Sequence, residues 1–108
     1  MAVNITMSTA EIEQLIDQGN AFRAGNQPQK ALQCYSQAFV SDPDSFSAWN
    51  NYGNVIRECG HPARGVPFIQ HALTLAPDNP VANFNLAVCY LMMGDYARGW
   101  AQIGRAHV

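Results

Sequence analysis

Charge is scarce in this chain. Asp, Glu, Lys and Arg make up 13% of its 108 residues, against 48% for the apolar types; that is about half the charged share usual for a soluble domain. The net charge is −2 and the basic residues are scattered. No concentrated positive stripe is available to neutralise phosphates, which argues against nucleic acid as a partner. Long apolar runs are missing too. None reaches the roughly 20 residues of a membrane-spanning helix, so no membrane partner is expected. The N-terminus has neither the basic start nor the apolar stretch of a secretion signal. The expected setting is therefore cytoplasmic and reducing, and the glycosylation acceptor Asn4-Ile5-Thr6 has no meaning there.

Cysteine is sparse and badly spaced for chemistry. Cys34, Cys59 and Cys89 form no Cys-x-x-Cys pair, and Cys59-x-His61 is too close for a normal ligand pair on one helix. No metal and no cofactor are expected; the thiols read as free and buried or semi-buried. His61, at a turn, and His71, on a helix, read as solvated. A nucleophile elbow, a phosphate-cradling glycine loop and a His/carboxylate constellation are all missing. Glu11, Glu13 and Asp17 are most simply charges favoured by a helix N-terminus. The chain is not expected to be an enzyme.

What is present is a repeat. Asp42-Pro43-Asp44 and Ala76-Pro77-Asp78 lie 34 residues apart, and most of the chain recurs at that interval. Small residues form columns: Gly19, Gly53, Ala87; Ala31, Gly65, Gly99; Ala38, Ala72, Ala106. Larger apolar residues do the same: Phe22, Ile56, Tyr90; Tyr35, Ile69, Ile103; Leu32, Val66, Trp100. Asn26, Gly60 and Gly94 break each unit in two. A fixed period of this length marks a stacked-repeat architecture.

Each unit reads as two amphipathic helices. Ser8 with Glu11 forms a capping box before Ile12, Leu15, Ile16 and Gly19. Gly25-Asn26 ends that helix, Pro28 opens the next, and Pro43 stops it. The later units turn at Gly60-His61-Pro62 and Gly94-Asp95. Small residues where two helices cross let the backbones approach, and larger neighbours fill the gaps.

These columns resemble the tetratricopeptide repeat, whose motif runs Trp-x-x-Leu-Gly-x-x-Tyr, then Ala, Phe, Ala and Pro. The second unit carries it as Trp49, Tyr52, Gly53, Ile56, Gly65, Ile69, Ala72 and Pro77; the third departs, with Asn83 where an aromatic is usual. The resemblance implies an all-α, right-handed superhelical stack of antiparallel helix pairs, about three repeats with the last incomplete. The repeats fall at about 12–45, 46–79 and 80–108, in a single domain 9–108 after a lead-in 1–8.

In such a stack the first helix of each pair turns one face toward a concave surface. With Trp49, Tyr52, Gly53 and Ile56 inward, helical geometry puts Ser47, Asn50, Asn51, Asn54, Arg57 and Glu58 on the groove side. The same offsets give Glu13, Asp17, Asn20, Arg23 and Ala24 in the first unit, and Val81, Phe84, Asn85, Val88 and Met92 in the third. Two asparagine columns result, Asn51 with Asn85 and Asn20 with Asn54. An amide donates and accepts at once, so such a ladder suits a peptide backbone; the alternative is a merely solvated polar face. Asn51 and Asn85 also resemble the asparagine ladder of O-linked N-acetylglucosamine transferases, though Asp17 stands at the matching place in the first unit. Arg23 and Arg57 would pair an acidic group on the ligand, but the groove offsets carry no lysine for a carboxylate clamp.

The expected function is a protein-interaction module that takes a peptide or partner segment. Its contacts would come from Asp17, Asn20, Arg23, Asn51, Asn54, Arg57, Asn85 and Val88. The rival is a substrate-recruiting N-terminal fragment of a larger enzyme, most plausibly a glycosyltransferase. The end of the chain reads oddly, because His107 continues the apolar column of Phe39 and Leu73. Residues 103–108 can be encoded by ATC GGA AGA GCA CAC GTC, a short-read sequencing adapter, so a non-native tail is expected. The alternative is a real, irregular last helix, since Ile103 and Ala106 fit their columns. Either way the uncapped apolar end, with Tyr90, Leu91, Met93, Trp100 and Ile103, is expected to self-associate.

Overall fold

The helix ends are set by local chemistry. The structure, a computed structural model, describes residues 7–107; the Asn4-Ile5-Thr6 acceptor, most of the expected lead-in and Val108 lie outside the described residues. Helix α1 (Thr9–Ala24) starts at Ser8, whose hydroxyl oxygen accepts the Glu11 N–H while the Glu11 carboxylate accepts the Ser8 N–H, both at 3.1 Å. Two donors that the first turn leaves open are thereby satisfied. Helices α2 (Pro28–Ser41), α4 (Pro62–Leu75) and α5 (Pro80–Met92) each begin on proline, where the missing N–H costs nothing. Ser45 and Asp95 cap α3 (Phe46–Glu58) and α6 (Tyr96–Ala106) with side-chain oxygens. Asn26, Gly60 and Gly94 all take positive φ, at 58°, 91° and 80°, so this column marks the left-handed residue that turns the chain inside each pair.

Short turns fold the six helices into three antiparallel pairs, stacked into a body of 50 × 27 × 24 Å. Along one side α1 meets α3 and α3 meets α5, while α2 and α4 wedge between successive pairs. Among the described residues no strand occurs, and no helix is long and apolar enough to cross a membrane.

The core crosses every pair boundary. Ala31 and Tyr35 of α2 bury Val55 of α3, and Ile69 of α4 is buried with Ala82, Leu86, Cys89 and Tyr90. Full burial of a side chain such as Ile69 stabilises by about 2 kcal/mol, so each pair depends on its neighbour. The small columns sit where helices cross. In the second pair both positions are glycine and backbone meets backbone: a Cβ on Gly65 would stand 2.5 Å from the Gly53 carbonyl oxygen. In the first pair a Cβ on Gly19 would enter the Tyr35 ring.

One expectation about the thiols needs correction. Cys34 and Cys89 are buried, and burial pushes both thiols up from their ordinary pKa. Cys59 is exposed instead, because it caps the C-terminus of α3 and leaves the packed face there. His61 and His71 are exposed, and the His71 ring also lies 4.1 Å from that of Trp49. Among the described residues no three His, Cys, Asp or Glu side chains gather into a metal site.

Candidate functional site

Helices α1 and α3 present their outer faces side by side. Between them Asn20, Arg23 and Ala24 of α1, with Asn51 and Glu58 of α3, line an open cavity of about 470 Å³. The amides at its floor are held by a relay of hydrogen bonds. The Tyr35 hydroxyl, reaching up from α2, donates to Asn20 Oδ1 at 2.5 Å, and Asn51 Nδ2 donates to the same oxygen at 3.3 Å. Asn51 Oδ1 accepts from Asn50 Nδ2 at 3.5 Å, and Asn50 Oδ1 accepts from Asn85 Nδ2 of α5 at 3.2 Å. The relay thus joins α2, α1, α3 and α5. Burial pushes the Tyr35 hydroxyl above its ordinary pKa, which keeps it the protonated donor at neutral pH.

This bonding decides what the amides can offer. Both lone pairs of Asn20 Oδ1 are used, so Asn20 has only Nδ2 donors left for a ligand. Asn51 keeps one Nδ2 hydrogen and one acceptor position. The exposed edge is therefore rich in donors, which suits carbonyl oxygens of an extended chain.

The arginines are engaged within the protein. Arg23 forks onto the Glu58 carboxylate through Nε at 2.6 Å and Nη2 at 3.0 Å, bridging α1 to α3. The hydrogen bond to Glu58 raises the Arg23 pKa further, so the guanidinium stays charged. Both members are partly exposed, and such a pair is worth about 1 kcal/mol or less. Arg57 forks onto Asn54 Oδ1 through Nε and Nη2 at 3.0 and 2.5 Å.

The eight candidate residues therefore divide. Asn20, Arg23 and Asn51 meet at the cavity. Asn54 and Asn85 are buried at 6% and 8% exposure, turned into contacts with Arg57 and Asn50 rather than lying open to the groove. Asp17 is exposed on α1 and Val88 half-buried on α5. Tyr35 and Glu58 complete the site without having been among the candidates. The missed signal is one of offset: the touching pairs Asn20–Asn51 and Arg23–Glu58 are separated by 31 and 35 residues, not by the period itself.

A stack of helix pairs, each leaning on the next, with an open polar groove along its first helices, defines a helical-repeat scaffold. Family models for the tetratricopeptide repeat match residues 19–57 and 68–101; the chain belongs to the tetratricopeptide-repeat family. It is 31% identical over 75 residues to protein FlbA of Caulobacter vibrioides, covering 69% of this chain and 13% of that protein. It is 28% identical over 85 residues to the probable UDP-N-acetylglucosamine–peptide N-acetylglucosaminyltransferase SPINDLY of Hordeum vulgare, covering 79% of this chain and 9% of that protein. The chain thus spans roughly a tenth of the length of the curated relatives it matches. Among solved structures, the second repeat domain of Spaghetti (RPAP3), bound to the HSP90 peptide SRMEEVD, superposes with a TM-score of 0.85 at 13% identity, covering 90% of each chain.

Proposed function

We propose that this chain is a protein-interaction module that holds an extended polypeptide segment in the groove across α1 and α3, without transforming it. The observation that carries this reading is the Asn20–Asn51 pair, held by Tyr35 and left with spare donors lining an open cavity. A peptide selected from a displayed random library supplies the probe for calorimetry. Asn51→Ala is expected to weaken that peptide by about 1 kcal/mol, roughly fivefold; unchanged affinity would remove Asn51 from the site. Asn85→Ala is the contrast. Buried and bonded to Asn50, it acts on stability rather than on the ligand.

A second reading has a specific support in the likeness to SPINDLY over most of the chain: a substrate-recruiting part of a glycosyltransferase. Sequencing the source DNA beyond the Gln102 codon separates the two. A nucleotide-sugar domain in frame supports recruitment, and a different downstream domain sinks it.

We further propose that the α6 end self-associates. Trp100, Tyr96 and Met93 are 65%, 62% and 45% exposed, whereas Leu32 and Val66, the column mates of Trp100, pack under a following helix. Light scattering after size exclusion is expected to show a mass that rises with concentration. A clean monomer at high concentration would refute this.

A further inference from the structure

Two columns of the repeat meet at the turn inside each helix pair. Phe22, Ile56 and Tyr90 share one place near the end of the first helix. Lys30, Arg64 and Arg98 share one place at the start of the second. In the first pair the Lys30 ammonium stands over the Phe22 ring, 5.6 Å from its centre. In the third pair the Arg98 guanidinium stands over the Tyr90 ring at 5.1 Å. The negative face of a ring attracts a cation placed over it. At both ends of the chain, then, a ring and a cation form one unit.

The second pair has the cation without the ring. Ile56 supplies no aromatic face, and among the described residues Arg64 makes neither an ion pair nor a cation–ring contact. Arg98 is also held by Asp95 at 2.6 Å, whereas the residue three before Arg64 is His61, which has no carboxylate. Beside Ile56 lies an open cavity of about 230 Å³, walled by Leu32 of α2, Tyr52 and Ile56 of α3, Cys59, and Arg64 of α4. It shares no lining residue with the α1–α3 cavity, and none of its wall comes from α1 or α5. An apolar cavity of about 150 Å³ accepts benzene, so there is room here for a phenyl or phenol ring.

We propose that this cavity is a docking site for one aromatic side chain of a partner protein. Its ring takes the place beside Arg64 that Phe22 and Tyr90 take beside Lys30 and Arg98. Leu32, Tyr52 and Ile56 give the ring apolar contact, and the guanidinium gives it a cation. The chain's own first and third pairs name the chemistry of the occupant. Its source follows from energetics. A single ring entering an open cavity binds weakly alone, because association must offset lost translational and rotational freedom. A ring carried on a protein surface shares that cost with the rest of an interface, where buried aromatic anchors dominate. The site is separate from the groove, so its failure would leave the groove reading untouched.

The test uses Cys59 as a handle, since it lies exposed in the wall of the cavity while Cys34 and Cys89 are buried. The Cys59 thiolate attacks a disulfide between a fragment thiol and cysteamine. The fragment becomes disulfide-bonded to Cys59, and cysteamine leaves as its thiolate. Two fragments that differ only in ending in phenyl or in cyclohexyl are compared on the full chain. The concentration of 2-mercaptoethanol that halves labelling is read by mass spectrometry of the intact protein. The phenyl fragment is expected to withstand roughly twofold to fivefold more reductant than the cyclohexyl one. Arg64→Gln, at an exposed side chain, is expected to erase that difference. Ile56→Phe is expected to fill the place with the chain's own ring, lowering retention of both fragments without lowering the unfolding temperature.

Equal retention of phenyl and cyclohexyl in the wild type would overturn the proposal, as would a preference that survives in Arg64→Gln. An Ile56→Phe protein that unfolds at lower temperature would show an overpacked site with no room for a ring, and would overturn it too. If free N-acetylphenylalanine amide protects Cys59 at micromolar concentration, the occupant is a small molecule and the partner reading fails. If Ile56→Phe dissolves a dimer seen by light scattering, the occupant is a second copy and it fails likewise.

Discussion

Trp49→Ala is expected to remove roughly 3–4 kcal/mol of stability, in the range for a large aromatic taken from a packed site. The indole is the centre of a cluster that joins three helices. It stacks on Phe39 of α2 with ring centres 3.8 Å apart and planes 8° apart, and faces Phe68 of α4 at 6.3 Å and His71 at 4.1 Å. Its N–H donates to the Pro43 carbonyl at 2.8 Å, fixing the loop between the first two pairs to α3. Truncation removes the stacked apolar area and releases the exposed Pro43 carbonyl to water together. Two controls separate these effects in urea titrations followed by circular dichroism. Trp49→Phe keeps a ring but loses the hydrogen bond, and is expected to cost about 1 kcal/mol. Trp100→Ala, at an indole 65% exposed, is expected to stay within about 0.5 kcal/mol of the wild type. A Trp49→Ala protein as stable as Trp100→Ala would show that the cluster holds nothing together.

The third repeat shows why some of this was legible in the sequence and some was not. Period, turns and small columns are backbone requirements, so they leave the same residue types at each recurrence; Gly53 and Gly65 read as a crossing from the sequence alone. Asn83 looked like a defect in the aromatic column. It is a different solution to the same demand. Its Nδ2 donates to the Pro77 carbonyl at 3.1 Å, the bond that Trp49 makes to Pro43 one period earlier. Its Oδ1 accepts from Gln102 Nε2 at 2.9 Å, where Trp49 faces Phe68. A buried amide pair replaces an aromatic pair, and periodicity does not disclose that exchange because it compares residues singly. The groove was misread for a related reason. A column states which positions are equivalent, not which ones touch. Asn51 and Asn85 are equivalent, but the relay runs from Asn20 to Asn51 and from Asn50 to Asn85. Asn54 and Asn85 were expected on the open face and are buried, since superhelical packing brings α1, α3 and α5 together along the edge of that face.

Tyr35→Ala is expected to cost about 4 kcal/mol, the largest loss of any single truncation at the groove. Tyr35 is fully buried, and its ring lies where a Cβ on Gly19 would be; Ala31 and Val55 are buried with it, and Ile16, Phe22, Leu32 and Tyr52 pack against the three. Gly19 and Ala31, the small residues beside the ring, have no side chain to move into the void, so part of it stays open. Tyr35→Phe tests the hydroxyl alone. Its removal is expected to cost about 1 kcal/mol and to leave Asn20 Oδ1 held only by Asn51. Asn20 then turns more freely, so the library-selected peptide is expected to bind about threefold to fivefold more weakly although Tyr35 never touches it. The pH dependence follows from the buried phenol. Its folded pKa is raised above the unfolded value by burial, so its contribution is fully present below the ordinary tyrosine range near about 10 and is lost as pH rises through the folded value. The stability gap between wild type and Tyr35→Phe should therefore hold constant from neutral pH to about 9 and close in stronger base. A gap that closed on acidification instead would assign the effect to another group. Peptide affinity identical in wild type and Tyr35→Phe, with stability lowered, would show that Tyr35 supports the core without orienting the groove.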